Sequence, residues 1–125
     1  GARRNQPKAG YRADLGHRVR STWEANVCRW LRHMGRDYEY EPRMFVVSFP
    51  DGSEHAYIPD LYVPAVGAWI EVKGQRRQAD ALKLRLFREQ NPDVRLLIIS
   101  RALYRPMFRH YAHAIDGWEG AKSQL

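Results

Sequence analysis

The sequence predicts a mixed α/β domain, a β-sheet with helices on its faces. Three observations point to it. Aromatic and β-branched residues alternate through 37–49 and again through 55–73, broken by turn sequences. Apolar residues recur at helical spacing over 21–34, 76–90 and 103–115. Leu96-Leu97-Ile98-Ile99 is a continuous apolar run, the pattern of a strand covered on both sides. A three-strand meander, a helix crossover and one further strand give the order helix, three strands, helix, strand, helix.

A chain of 125 residues, 44% hydrophobic and 12% aromatic, is of a size to build one core. The expected organisation is a basic, flexible arm over 1–18 followed by a single domain over 19–125. The arm has no apolar period and contains Gly1, Pro7, Gly10 and Gly16. Arg3, Arg4, Lys8, Arg12, Arg18 and Arg20 stand against Asp14 alone, so residues 1–20 carry +5 of the net +7. Charge gathered in this way marks an anionic partner, most often nucleic acid, and those six residues are the first DNA-binding candidates. The start is polar and basic, unlike a signal peptide. No apolar run approaches the roughly 20 residues that span a bilayer, so no membrane partner is expected. Cys28 is the single cysteine, which excludes an internal disulfide and a multi-cysteine zinc site. A buried thiol in a reducing, cytoplasmic setting fits.

Ser21-Thr22-Trp23-Glu24 has the capping-box pattern, with Ser21 as N-cap and Glu24 reaching back to its amide. Trp23, Val27, Trp30, Leu31 and Met34 form the apolar stripe of the first helix, and Gly35 ends it. Tyr38 and Tyr40 share a face of a short strand, Pro42 interrupts, and Phe45–Phe49 is the next strand. Pro50-Asp51-Gly52-Ser53 has turn chemistry at each position, so the chain returns through His55–Ile58 as a hairpin. Leu61–Val63 is expected to continue that strand, and Ala68–Lys73 to follow after a turn about Ala65 and Val66. Ala79, Leu82 and Leu86 mark the second helix, which Asn91-Pro92-Asp93 ends. Leu103, Met107, Phe108, Tyr111 and Ile115 mark the last.

The chemistry lies in Pro59-Asp60 and Glu71-Val72-Lys73. Strands pairing about the Ala65-Val66 turn bring Asp60 and Glu71 close together, and alternation puts Glu71 and Lys73 on one face beside Trp69. Buried charges at such positions call for a partner or a metal. Two carboxylates with a backbone carbonyl, that of Val72, make a hard oxygen site suited to Mg²⁺ or Mn²⁺. A lysine one step away serves to place or activate a water, and together these parts suit phosphodiester hydrolysis. Arg76 and Arg77 follow directly and are candidates to clamp phosphate. His55 is open to two readings, a contact to the scissile phosphate or the end of a strand. His110 and His113 lie a helical turn apart with no third ligand evident, which favours surface or packing roles.

Pro59-Asp60 with Glu71-Val72-Lys73 resembles the motif of the PD-(D/E)xK nucleases, whose restriction-endonuclease-like core has a similar element order. The other two Pro-Asp pairs differ: Pro50-Asp51 reads as a turn, and Pro92-Asp93 has no acid-x-Lys after it. Within that superfamily the chain resembles the junction-resolving endonuclease I of tailed phages from about Arg20 to Ser100. The likeness takes in Tyr38-Glu39-Tyr40-Glu41, the segment His55 to Asp60, Val72-Lys73-Gly74 and Phe87-Arg88-Glu89-Gln90-Asn91-Pro92. Archaeal-type junction resolvases share the layout. The resemblance implies a Mg²⁺-dependent DNA endonuclease, with Mn²⁺ able to substitute, acting on branched DNA such as Holliday junctions. Asp60 and Glu71 match that family's metal ligands, Lys73 its catalytic lysine, and Glu24 a helical acidic residue that contacts metal or water. A homodimer is implied as well, since paired cuts need two sites in fixed relation. The tight Pro50–Ser53 turn departs from the phage pattern and suits a local hairpin rather than strands exchanged between copies. Related cores also serve in restriction, repair and transposase-end cleavage, and the rival from another class is a non-catalytic DNA-binding module of the same fold.

Overall fold

The computed structural model describes residues 8–73 and 78–120. Arg3 and Arg4 of the expected arm and the phosphate-clamp candidates Arg76 and Arg77 lie outside these residues. The fold is mixed α/β, and the chain divides into two units, Gly1–Arg36 with Tyr104–Leu125, and Asp37–Leu103.

The first unit begins with a β-hairpin, β1 (Gly10–Arg12) and β2 (His17–Val19), paired antiparallel with Tyr11 opposite Arg18. The expected flexible arm is thus folded over residues 10–19. The cause is long-range pairing that local sequence does not show. Arg12 Nε lies 2.7 Å from Glu119 Oε2, and Arg32 donates to the carbonyls of Asp14 (2.9 Å) and Leu15 (2.7 Å) in the hairpin turn. Helix α1 (Thr22–His33) follows, with Ser21 as N-cap accepting from the Glu24 amide at 3.1 Å. Glu24 Oε1 accepts from the Arg20 amide at 3.1 Å, one residue before the amide expected of a capping box. Gly35 (φ 73°) takes the left-handed turn past the helix end, and the Arg36 amide bonds back to the Leu31 carbonyl.

Helix α3 (Arg101–Phe108) enters this unit at Tyr104 and passes into a 3₁₀ turn, Arg109–Tyr111. The last helix was expected over 103–115. It starts earlier and stops at Phe108, two residues after Pro106, which lacks the amide an α-helical turn would use. Trp23 stacks on Tyr104 with centroids 4.2 Å apart, and Trp30 meets Phe108 edge-on at 5.2 Å. Both tryptophans are half-buried and pack on this core, which includes the buried Cys28.

Inside this apolar shell runs a charged network. Arg29, 6% exposed, is bound to Asp14 (2.7 Å), Glu119 (2.8 Å) and Asn26 (3.0 Å). Asn26, fully buried, donates to Tyr104 and to the Glu119 carbonyl and accepts from the Glu119 amide. Gly117 (φ 83°) passes so close that a Cβ would sit 3.0 Å from Asp14 Oδ2. The network joins hairpin, helix and C-terminal segment.

The second unit holds a four-stranded sheet in the order β3 (Glu39–Tyr40), β6 (Leu61–Val63), β7 (Ala68–Lys73), β8 (Arg95–Ser100). The first three strands pair antiparallel, and β8 joins β7 in parallel after α2 (Gln78–Gln90). β4 (Phe45–Ser48) and β5 (Glu54–Tyr57) form their own hairpin, with Phe45 opposite Tyr57. The expected continuous strand 55–63 is therefore split. Pro59 has no amide for a ladder, and β6 starts afresh at Leu61 against β3. The turn itself is as expected: Gly52 takes φ 87°, and Asp51 Oδ1 accepts from the Ser53 amide and hydroxyl. Phe45, Val47, Tyr57, Trp69, Leu84, Leu86, Phe87 and Leu96 form the core. Gln90 clasps Ser48, accepting from its amide (2.9 Å) and donating to its carbonyl (2.7 Å).

The network around Arg29 makes stability depend on acid. The hydrogen bond from Arg29 holds the Asp14 carboxyl below its ordinary value. Burial pushes Glu119 up, but hydrogen bonds from Arg12 and Arg29 outweigh it and hold Glu119 low as well. Folded values below unfolded ones mean stability that is full above about pH 5 and lost as pH falls through the folded values. Glu119→Gln should therefore melt below the wild type at pH 7, and the two melts should converge as the pH falls below the lowered folded value of Glu119. Arg29→Ala should cost about 2–4 kcal/mol in urea unfolding at pH 7, the lower part of that range reflecting an Asp14 side chain that is 46% exposed.

Candidate active site

Asp60 and Glu71 come together because β6 and β7 pair in one register. Leu61 faces Ile70 and Tyr62 faces Trp69, so Asp60 and Glu71 are the next positions along. Both are 6% exposed. Asp60 follows the Pro59 break, outside the ladder, and its side chain and carbonyl make bonds of their own. Asp60 Oδ2 accepts from the Val72 amide at 2.7 Å, and the Asp60 carbonyl accepts from the Glu41 amide at 2.8 Å. Glu41 reaches it from left-handed backbone (φ 47°), a conformation unfavourable by about 1–2 kcal/mol outside glycine.

Glu71 sits mid-strand on β7, on the face it shares with Trp69 and Lys73. The Tyr57 hydroxyl donates to Glu71 Oε1 at 2.8 Å in a buried bond. The Tyr57 ring is held in turn by Phe87, centroids 4.9 Å apart, with Lys83 Nζ 5.7 Å from its centre. Burial, then the charge of Glu71, raises the Tyr57 phenol far above its ordinary value, so it remains a donor. Lys73 Nζ lies 3.7 Å from Glu71 Oε2 and 3.5 Å from Asp80 Oδ2, in the first turn of α2.

These residues form an oxygen-rich corner with a cation beside it. In a strand a residue's N–H and C=O leave the same edge. The Val72 carbonyl therefore faces the edge on which its amide meets Asp60. Asp60, Glu71 and that carbonyl fit a small hard cation that keeps several waters. Among the described residues no group of three or more His, Cys, Asp and Glu side chains gathers as a metal site. The oxygens gathered at this corner are those of two carboxylates and main chain.

Of the other candidates, Glu24 belongs to the first unit, where it is buried. His55 belongs to the hairpin turn: its Nε2 lies 2.9 Å from Ser53 Oγ and its ring packs on Phe49 at 4.1 Å. Arg12 is bound to Glu119, while Lys8, Arg18 and Arg20 are exposed. His110 and His113 are exposed, and His110 packs on Tyr111. Two residues escaped the sequence reading. Tyr57 was legible as an inward position of the hairpin three residues before Asp60. Asp80 was legible as an acid in the first turn of the helix after the active strand.

Two neighbouring carboxylates out of water repel each other. Asp60→Asn keeps an oxygen for the Val72 amide and removes one charge. It should raise the unfolding free energy in chelator by about 1 kcal/mol, measured by calorimetry. A drop would mean that the Asp60 charge is satisfied by its surroundings alone.

The chain matches the Phage endonuclease I family over residues 8–113, which extends from the β1–β2 hairpin past the 3₁₀ turn. It is 36% identical to Endodeoxyribonuclease 1 of Enterobacteria phage T3 over 91 residues, covering 71% of this chain and 59% of that protein. It is 35% identical to Endonuclease I of Escherichia phage T7 over 94 residues, covering 73% of this chain and 62% of that protein. The match thus spans about three-fifths of these relatives. With the match running through both units, the chain belongs to the phage endonuclease I family.

Proposed function

We propose that this chain is a metal-dependent DNA endonuclease of the PD-(D/E)xK type, with the restriction-endonuclease-like core, that cuts branched DNA such as four-way junctions. The observation that carries this reading is the corner at the end of β6 and β7. Two buried carboxylates, each held by a hydrogen bond, stand beside a lysine on the strand of one of them. A binding module has no use for that combination. The names of the two relatives support the chemistry, and no described helix is long and apolar enough to cross a membrane.

In this reading Asp60, Glu71 and the Val72 carbonyl hold Mg²⁺, or Mn²⁺ in its place. Bound there, the ion supplies Lewis acidity toward a phosphodiester oxygen and toward water. Tyr57 fixes Glu71 through Oε1 and the Val72 amide fixes Asp60 through Oδ2, which would leave an oxygen of each carboxylate for the ion. Lys73 places the attacking water and steadies charge on the phosphate, while Asp80 restrains its ammonium from the far side. Glu24 is, by resemblance alone, a carboxylate assigned to metal or water. A homodimer delivers the paired cuts a junction needs, in the cytoplasm of an infected cell.

The direct test is Mg²⁺-dependent nicking of a labelled four-way junction against linear duplex. Asp60→Asn and Glu71→Gln should abolish cutting with the fold intact, and Lys73→Ala should lose turnover while retaining Mn²⁺ binding by calorimetry. Wild-type cutting by Asp60→Asn would refute the site. Glu24→Gln separates charge from shape. It should slow single-turnover cleavage at saturating Mg²⁺ at least tenfold, about 1.4 kcal/mol of barrier. Its melt should shift by no more than a few tenths of a kcal/mol, the helix-dipole share of the lost charge. A normal rate would leave Glu24 with a structural role alone.

A further inference from the structure

The two units differ in charge. Gly1–Arg36 with Tyr104–Leu125 hold twelve Lys and Arg against four Asp and Glu, a net +8; Asp37–Leu103 hold nine against ten, a net −1. Most acids of the first unit are engaged internally. Asp14 and Glu119 bind Arg29, Glu119 also binds Arg12, and Glu24 is buried. Among the described residues, Arg36, Arg105 and Arg109 are left exposed without a counter-charge.

These three are concentrated in one place. Tyr111 lies edge-on to His33 of α1 at 5.9 Å and packs on His110 at 4.1 Å, and its hydroxyl approaches Met34 Sδ at 4.0 Å. The end of α1 and the 3₁₀ turn thus share one patch. Arg36 stands just past that helix end, Arg109 opens the 3₁₀ turn, and Arg105 precedes it by about one helical turn. All three are exposed, and among the described residues none of the three guanidinium groups has an ion pair or hydrogen bond. Like charges gathered in this way oppose folding, so internal stability does not account for them. Arginine forks match phosphate oxygens, and a half-buried aromatic ring gives the patch a firm floor.

We propose that this surface, with Arg36, Arg105 and Arg109 around Tyr111, grips the DNA backbone without regard to sequence. The proposal deepens the nuclease reading and rests on it.

The test is fluorescence anisotropy with a labelled linear duplex and a labelled four-way junction, full chain, in chelator, over a series of salt concentrations. Removing one arginine–phosphate pair lowers the log–log salt slope by about 0.9 on duplex, because one fewer counterion is released. Combining Arg36→Ala, Arg105→Ala and Arg109→Ala should lower it by about 2 to 3 on both DNAs, with an unchanged or higher melting temperature. The Arg→Lys triple should keep most of the slope. Should the alanine triple fail to fold, Arg109→Ala alone should still lower the slope by about 0.9. An unchanged slope in a folded variant would overturn the proposal, and so would a wild type that binds neither DNA. A wild type that binds DNA with this salt dependence but never cuts it would sink the nuclease reading and leave the surface standing.

Discussion

The candidate site depends on one bond, from the Val72 amide to Asp60 Oδ2. Pro59 interrupts the chain where β5 would have run on into β6, and the residue after it would otherwise leave an amide on β7 unpaired in a buried place. The Asp60 side chain fills that gap, while its own carbonyl takes the Glu41 amide. The carboxylate is fixed by the same contact that closes the end of the sheet. Catalytic geometry and sheet integrity are therefore the same requirement here.

Support for Glu71 comes from a different quarter. Its donor, Tyr57, belongs to the β4–β5 hairpin, and the tyrosine ring is packed by Phe87 of α2. Lys73 is bracketed by Glu71 and by Asp80 at the start of the same helix. The corner is assembled from the sheet, the hairpin and the helix, and each contributes a side chain that would be costly to bury alone.

Much of this was legible in the sequence, for local reasons. Ser21 capped its helix, Pro50–Ser53 turned the hairpin, and the Ala65-Val66 turn set the β6–β7 register that pairs Asp60 with Glu71. What escaped depended on distant residues. Arg12 and Glu119 are 107 positions apart, and their pairing turned an apparent arm into a folded hairpin. The split at Pro59 was hidden because Leu61–Val63 alternates in phase with a strand whichever sheet it joins. Tyr57 is core, and its hydroxyl acquires a role only when β7 arrives alongside. The end of α3 at Phe108 was masked by an apolar period that runs on past Pro106.

The clasp of Gln90 on Ser48 has a consequence of its own. One carboxamide offers an acceptor and a donor in the arrangement that a neighbouring peptide group would present. The outer side of β4, in a ribbon of two strands, is thereby occupied by a side chain of the same molecule. A strand from a second molecule that sought to extend the ribbon would have to expel that side chain first, giving up two bonds before gaining any. Short ribbons with bare margins are where proteins begin to associate wrongly at high concentration. The glutamine at the end of α2 closes that margin at Ser48.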